Sequence, residues 1–146
     1  MKCLLVKPPF AGWIVDGVKP VEYRRIYTYI RDRIGIMQTG PVGTNPNIRA
    51  ILGDVKIINC VFDTKTGLYQ WMFREPREYR YPVFIPPIRG AQVFVNIDYL
   101  VPDEFSAVPT PYLHNIAREE CDAEERRAIR ELQAKGPVKM RRVCNA

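Results

Sequence analysis

The chain has 146 residues, 47% of them hydrophobic, with a net charge of +6. That size and apolar content suit one domain with a real core and exclude a disordered chain. No run approaches the ~18 apolar residues of a membrane span, and the N-terminal apolar stretch is too short for a signal peptide; a cytoplasmic protein with no membrane partner is expected.

The opening "CLLVK" reads as a short buried strand. Pro8 and Pro9 then lead "FAGWIV" into a short helix that Gly17 ends. Phe10, Trp13 and Ile14 fall at helical spacing, which assigns Trp13 to the core. In "KPVEYRRIYTYI", Pro20 pushes Lys19 towards extended geometry. Alternation beyond it sends Glu22 and Arg24 to one face and Val21, Tyr23 and Arg25 to the other. "RIGIMQTG" predicts another strand, and "GPVGTNPN" a loop.

"RAILGDVKIINCVFD" predicts one or two strands with Gly53 at a bulge. "DTKTG" is a turn, with Gly67 free to take positive φ. "LYQWMFR" sets Tyr69, Trp71 and Phe73 on one face, where they read as core; exposed, one of them would stack a base, worth ~1–3 kcal/mol. "EPREYRYPVFIPPIRG" holds four prolines and three arginines and predicts irregular extended chain with at most edge pairing. Arg74, Arg77, Arg80 and Arg89 line a phosphate track there or form a solvated rim. "AQVFVNID" closes the series as an alternating strand.

Five to seven short strands with early helical content predict an α+β protein, a small, partly closed mixed β-barrel flanked by short helices. Residues 1–98 make this domain. Residues 99–146 hold a connector, "VPDEFSAVPTPY", a helix, "CDAEERRAIRELQAKGP", and a basic tail. Asp122 caps that helix, Glu125 completes a capping box, and Gly136-Pro137 ends it. Its apolar stripe is thin, Ala128, Ile129 and Leu132, so it packs by one narrow edge on the barrel or on a partner protein.

The four cysteines, Cys3, Cys60, Cys121 and Cys144, are widely spaced and read as reduced thiols. The only histidine, His114, has no clustered ligands and no catalytic companions, so neither a metal nor a cofactor is called for. The charge is segregated: residues 1–98 carry 14 Lys/Arg against 8 Asp/Glu, while residues 99–146 carry 8 of each. A basic excess confined to the first two thirds favours polyanionic partners.

One constellation stands out. Gly17, Lys19, Glu22 and Arg24 form G-x-K-x-x-E-x-R, and this resembles the signature of the ASCH domain, a branch of the PUA-like fold. The flanking order is similar too: a first strand and proline-led helix in "CLLVKPPFAGWIVDG", then "AILGDVKIINC", "YQWMFREPR" and "IRGAQVFVNID", over about residues 2–98. The resemblance implies a twisted barrel with a cleft lined by the motif, and binding of RNA or another nucleic acid. Expected nucleic-acid-binding residues are then Gly17, Lys19, Glu22, Arg24, Trp71 and Arg89.

Some small bacterial members of that family cleave an acetyl group from modified cytidine, and others are reported as ribonucleases. The alternative function is thus a metal-independent hydrolase, with Lys19 and Glu22 as its catalytic residues. In the amidohydrolase subgroup a threonine stands where this chain has Glu22, which puts binding ahead of hydrolysis. Physical chemistry points the same way. Lys19 and Arg24 suit phosphate, and a carboxylate beside Lys19 keeps it protonated and a poor general base. Two further readings are a sealed Lys19–Glu22–Arg24 ion cluster and a protein-interaction role for the C-terminal helix.

Overall fold

The computed structural model describes residues 1–40, 49–85, 93–97 and 111–138, with backbone alone over 111–116. It is an α+β structure. In chain order come β1 (Lys2–Val6), α1 (Phe10–Val15), β2 (Val21–Arg24), β3 (Arg33–Gln38), β4 (Arg49–Asp63), β5 (Leu68–Ile85), β6 (Phe94–Asn96) and α2 (Pro111–Gln133). The strands form one sheet in the order β2-β5-β4-β3-β1-β6, parallel only between β1 and β3.

Each element follows from local chemistry. The first turn of α1 is preceded by two prolines, joined here by a cis peptide bond. The helix stops at Gly17, whose φ of 88° suits a residue without Cβ. The carboxylate of Asp16 accepts from Val18 N at 3.0 Å, and Lys19 N donates to Trp13 O at 2.9 Å, which turns the chain into β2. The buried face of α1 is Ala11, Ile14 and Val15. Trp13 is only half-buried, edge-on to Phe10 at 5.9 Å, so it belongs to the rim of the core rather than its centre.

β4 and β5 form the spine. The turn between them is held by Asp63, which accepts from Lys65 N at 3.1 Å and from Thr66 Oγ1 at 2.8 Å, with Gly67 at φ 72°. Tyr69, Trp71 and Phe73 alternate inward and are buried. The proline-rich run after them pairs with β4 as far as Ile85. Because β2 reaches only the four residues from Tyr69 to Met72, the run is paired on one side alone, the edge pairing expected of it, though longer and more regular. Its prolines sit where the register slips. Glu75 and Pro76 lie between the pairs Lys56↔Arg74 and Asp54↔Arg77, with Glu75 at φ 51°. Pro82 lies in the slip between Gly53↔Glu78 and Ile51↔Val83. At a bulge on a stretch paired on one side only, the ladder does not need the missing N–H, so proline is tolerated.

Asp54 locks the same bulged region. Its carboxylate is fully buried and takes hydrogen bonds from Arg33 Nη1 at 2.6 Å, Arg77 Nε at 2.7 Å and Tyr79 OH at 2.6 Å. Two cations and a hydroxyl on one buried carboxylate meet the requirement for keeping a charge out of water. Burial, and then the bond to Asp54, push the Tyr79 hydroxyl well above its ordinary range.

Among the described residues the sheet is open, with β2 and β6 as its edges, and closure into a barrel is not seen. It is nonetheless strongly curled. Arg24 of β2 donates through Nη2 to Leu5 O of β1 at 2.9 Å, and Trp71 of β5 stacks on Phe94 of β6 at 5.7 Å and 13°. Elements from opposite ends of the sheet therefore meet. The core lies inside this curl, built from Leu4, Ile14, Ile34, Ile36, Val55, Ile57 and Trp71 under α1.

The C-terminal helix departs from expectation. It starts at Pro111, well before Cys121. Asp122 is not its cap but a mid-helix residue paired with Arg118 at 3.3 Å, an i,i+4 arrangement that satisfies the carboxylate without a helix end. The expected turn at its far end is present, with Gly136 at φ 99°. No described helix is long and apolar enough to cross a membrane. The segments "GPVGTNPN" after Gly40, the connector 101–110 and the tail from Lys139 lie outside the described residues, as does Arg89.

Candidate functional site

The ten residues from Asp16 to Arg25 are built around alternation on β2. Glu22 and Arg24 share a face, as expected, and Arg24 Nη2 lies 3.3 Å from Glu22 Oε2. Arg24 also lies over the ring of Trp71 at 5.8 Å. Glu22 Oε1 faces Lys19 Nζ at 3.7 Å, so the carboxylate sits between the two cations.

The motif is divided by depth. Lys19 is 2% exposed. Its Nζ donates to Val21 O at 2.6 Å and to Glu125 Oε1 of α2 at 3.1 Å, between the rings of Phe10 and Tyr23. Lys19 is thus sealed into an ion cluster and does not reach the cleft. Glu22 and Arg24 do. They line a cavity of about 640 Å³ between the curled sheet and α2.

The cavity has a mixed lining. Its cations are Lys7, Arg24, Arg49 and Lys135, and its carboxylates are Glu22 and Glu131. Leu5, Val6, Phe10, Tyr23 and Leu132 supply apolar and aromatic surface. Lys7, Thr39 and Arg49 meet at one end because parallel β1 and β3 finish there, with Thr39 N donating to Val6 O at 2.9 Å, and β4 begins there. The Arg49 guanidinium has an unusual feature. Its Nη1 is buried and has no hydrogen-bond partner among the described residues. Such a donor is costly to leave unmade, and the half-buried Arg49 side chain, which lines the cavity, would offer it to an anion by turning towards the open side.

α2 forms the opposite wall and is tied to the same ten residues. Glu125 holds Lys19. Arg25 Nη1 donates to Leu132 O at 3.0 Å and Gly136 O at 2.8 Å, satisfying carbonyls at the helix end where a cation is favoured. Arg118 donates to Val18 O, and Gln133 Nε2 to Thr66 O at 2.9 Å. Cys121, on the inner side of the helix, is fully buried, and burial pushes its thiol up to about 11, with smaller effects from Lys19, which lowers it, and Glu125, which raises it.

The other expected residues sit elsewhere. Trp71 is fully buried, stacked on Phe94, with Nε1 donating to Ile26 O at 3.0 Å. It offers no face to a base, and its core reading holds. Gly17 ends α1 and does not line the cavity. Arg77 belongs to the Asp54 cluster, and Arg74 and Arg80 are exposed. As candidate catalysts, Lys19 is withdrawn from the cavity and Glu22 stands between cations. Lys7, Arg49 and Lys135 were not singled out from sequence. Each is an isolated basic residue, and only topology brings them together. Cys3, Cys60 and Cys121 are free thiols, and no three of His, Cys, Asp and Glu converge as a metal site among the described residues.

No family model matches this chain, and no curated protein matches it.

Proposed function

We propose that the chain binds RNA, or a nucleotide, in the cavity between Arg24 and Arg49. The observation that carries this reading is the buried, unpartnered Nη1 of Arg49 in a cavity with four cations and two carboxylates. A phosphate satisfies Arg49 and Lys7. Tyr23 and Phe10 offer aromatic surface to a base, and Glu22 and Glu131 offer acceptors to its amino groups. The volume suits one or two nucleotides, not a duplex, so the substrate class is a single strand or a free nucleotide.

The G-x-K-x-x-E-x-R resemblance supports the same reading, with the curled sheet taken as the PUA-like barrel of an ASCH domain. Binding ranks ahead of hydrolysis because Lys19 lies behind the cavity wall, its Nζ held by Val21 O and Glu125.

Fluorescence anisotropy with a labelled single-stranded oligoribonucleotide over a salt series tests the proposal. The logarithm of affinity should fall linearly with log salt, and Lys7→Gln together with Arg49→Gln should reduce the slope by about 1.4, roughly 0.7 for each phosphate contact removed from a single strand. A salt slope equal in wild type and double variant, at equal affinity, rejects the cavity as the binding site.

A further inference from the structure

Two cations of the motif region, Lys19 and Arg25, already hold oxygen ligands, and these come from the chain itself. Lys19 holds the Glu125 carboxylate, and Arg25 holds the carbonyls of Leu132 and Gly136. Carboxylates and carbonyls on lysine and arginine stand where phosphate oxygens would otherwise sit. We propose that α2 is a displaceable internal competitor, and that a phosphodiester chain longer than the cavity lifts it from Lys19 and Arg25 and takes its place. This rests on the proposed nucleic-acid reading and adds to it a second anion-binding stretch beside the cavity.

The way α2 is attached supports displacement. Over 117–133 only Cys121 is fully buried, and Ala128, Ile129 and Leu132 are half-buried. Over these described residues the apolar seam is narrow, and the remaining attachment is polar. Glu125, Arg118 and Gln133 reach the body by side chain, and Arg25 grips the helix end. Polar contacts of this kind exchange readily for others of the same chemistry, whereas a broad apolar face does not. The cavity lies directly along this helix, since Ala128, Glu131, Leu132 and Lys135 line it. A strand seated against Arg24 and Arg49 thus runs beside the contacts that hold α2 down. Once α2 is lifted, Lys19, Arg24 and Arg25 form one basic stretch within seven residues.

Cys121 reports the event. It is closed on the inner side of the seated helix, so a ligand that merely fills the cavity leaves it protected, and one that lifts α2 exposes it. The experiment alkylates the full chain with iodoacetamide at pH 8 and maps each cysteine by mass spectrometry. Three samples are compared: free protein, protein saturated with adenosine monophosphate, and protein saturated with a single-stranded oligoribonucleotide. Binding of both probes is measured in parallel.

The oligonucleotide should raise the Cys121 rate about five-fold or more, with Cys3 and Cys60 unchanged, and the mononucleotide should not. Glu125→Gln should raise the Cys121 rate without ligand and tighten oligonucleotide binding about five-fold. Glu119→Gln, which makes the same charge change at an exposed position, should do neither. If the oligonucleotide binds while Cys121 stays closed, displacement is overturned and the cavity reading stands. If Glu119→Gln tightens binding as much as Glu125→Gln, the competition at Lys19 is overturned. If neither probe binds the wild type, both readings fall.

Discussion

At the scale of single residues, backbone contact and burial decide what the chain tolerates. Gly53 stands at a register slip of β4, and a Cβ there would lie 2.0 Å from Arg77 O, a backbone atom that cannot step aside. Gly53→Ala is expected to cost about 2–4 kcal/mol, read as a lower urea midpoint at unchanged slope. The buried thiols contribute to the alkaline limit. Cys3 and Cys121 are both raised from 9.0 to about 11 by burial. Their neutral form is favoured in the fold, so the associated stability is complete below pH 9 and is lost as pH rises towards 11. Urea midpoints measured from pH 7 to 11 should fall over that window, and Cys121→Ala should flatten part of the fall.

At the scale of elements, the ten residues from Asp16 to Arg25 do two jobs. Glu22 and Arg24 point into the cavity, while Lys19 and Arg25 clamp α2. The second job was not legible in the sequence, because Glu125 stands three residues after Asp122 and reads as a capping box. Its carboxylate instead bonds a lysine 106 positions away. Local spacing cannot distinguish the two when the helix begins upstream of the apparent cap. Arg25→Ala removes two hydrogen bonds from the end of α2, a loss of about 1–2 kcal/mol. Amide exchange at 128–133 should then accelerate about ten-fold while β4 and β5 keep their protection. Equal acceleration across the sheet would mean that Arg25 supports the whole fold rather than the helix.

At the scale of the whole molecule, the strands were readable where alternation was clean. Tyr69, Trp71 and Phe73 face the core as their spacing indicates, and Gly53 marks a register slip. The length of the β4–β5 pairing was hidden because Pro76 and Pro82 interrupt the strand pattern, and the bulges that accommodate them on this one-sided stretch leave no simple sequence mark. Of the site, Glu22 and Arg24 were visible in their motif. Lys7, Arg49 and Lys135 were not, since their convergence needs the parallel β1–β3 pair, the start of β4 and the seat of α2. Arg49 gives the central claim its sharpest test, because an unpartnered buried donor contributes binding without contributing stability. Calorimetric titration of adenosine monophosphate into wild type and Arg49→Gln, with thermal unfolding of both, measures this directly. The expected result is at least about ten-fold weaker binding in the variant at a melting temperature that is unchanged or higher. Equal affinity in the two proteins, or a wild type that takes up no nucleotide, would contradict the account.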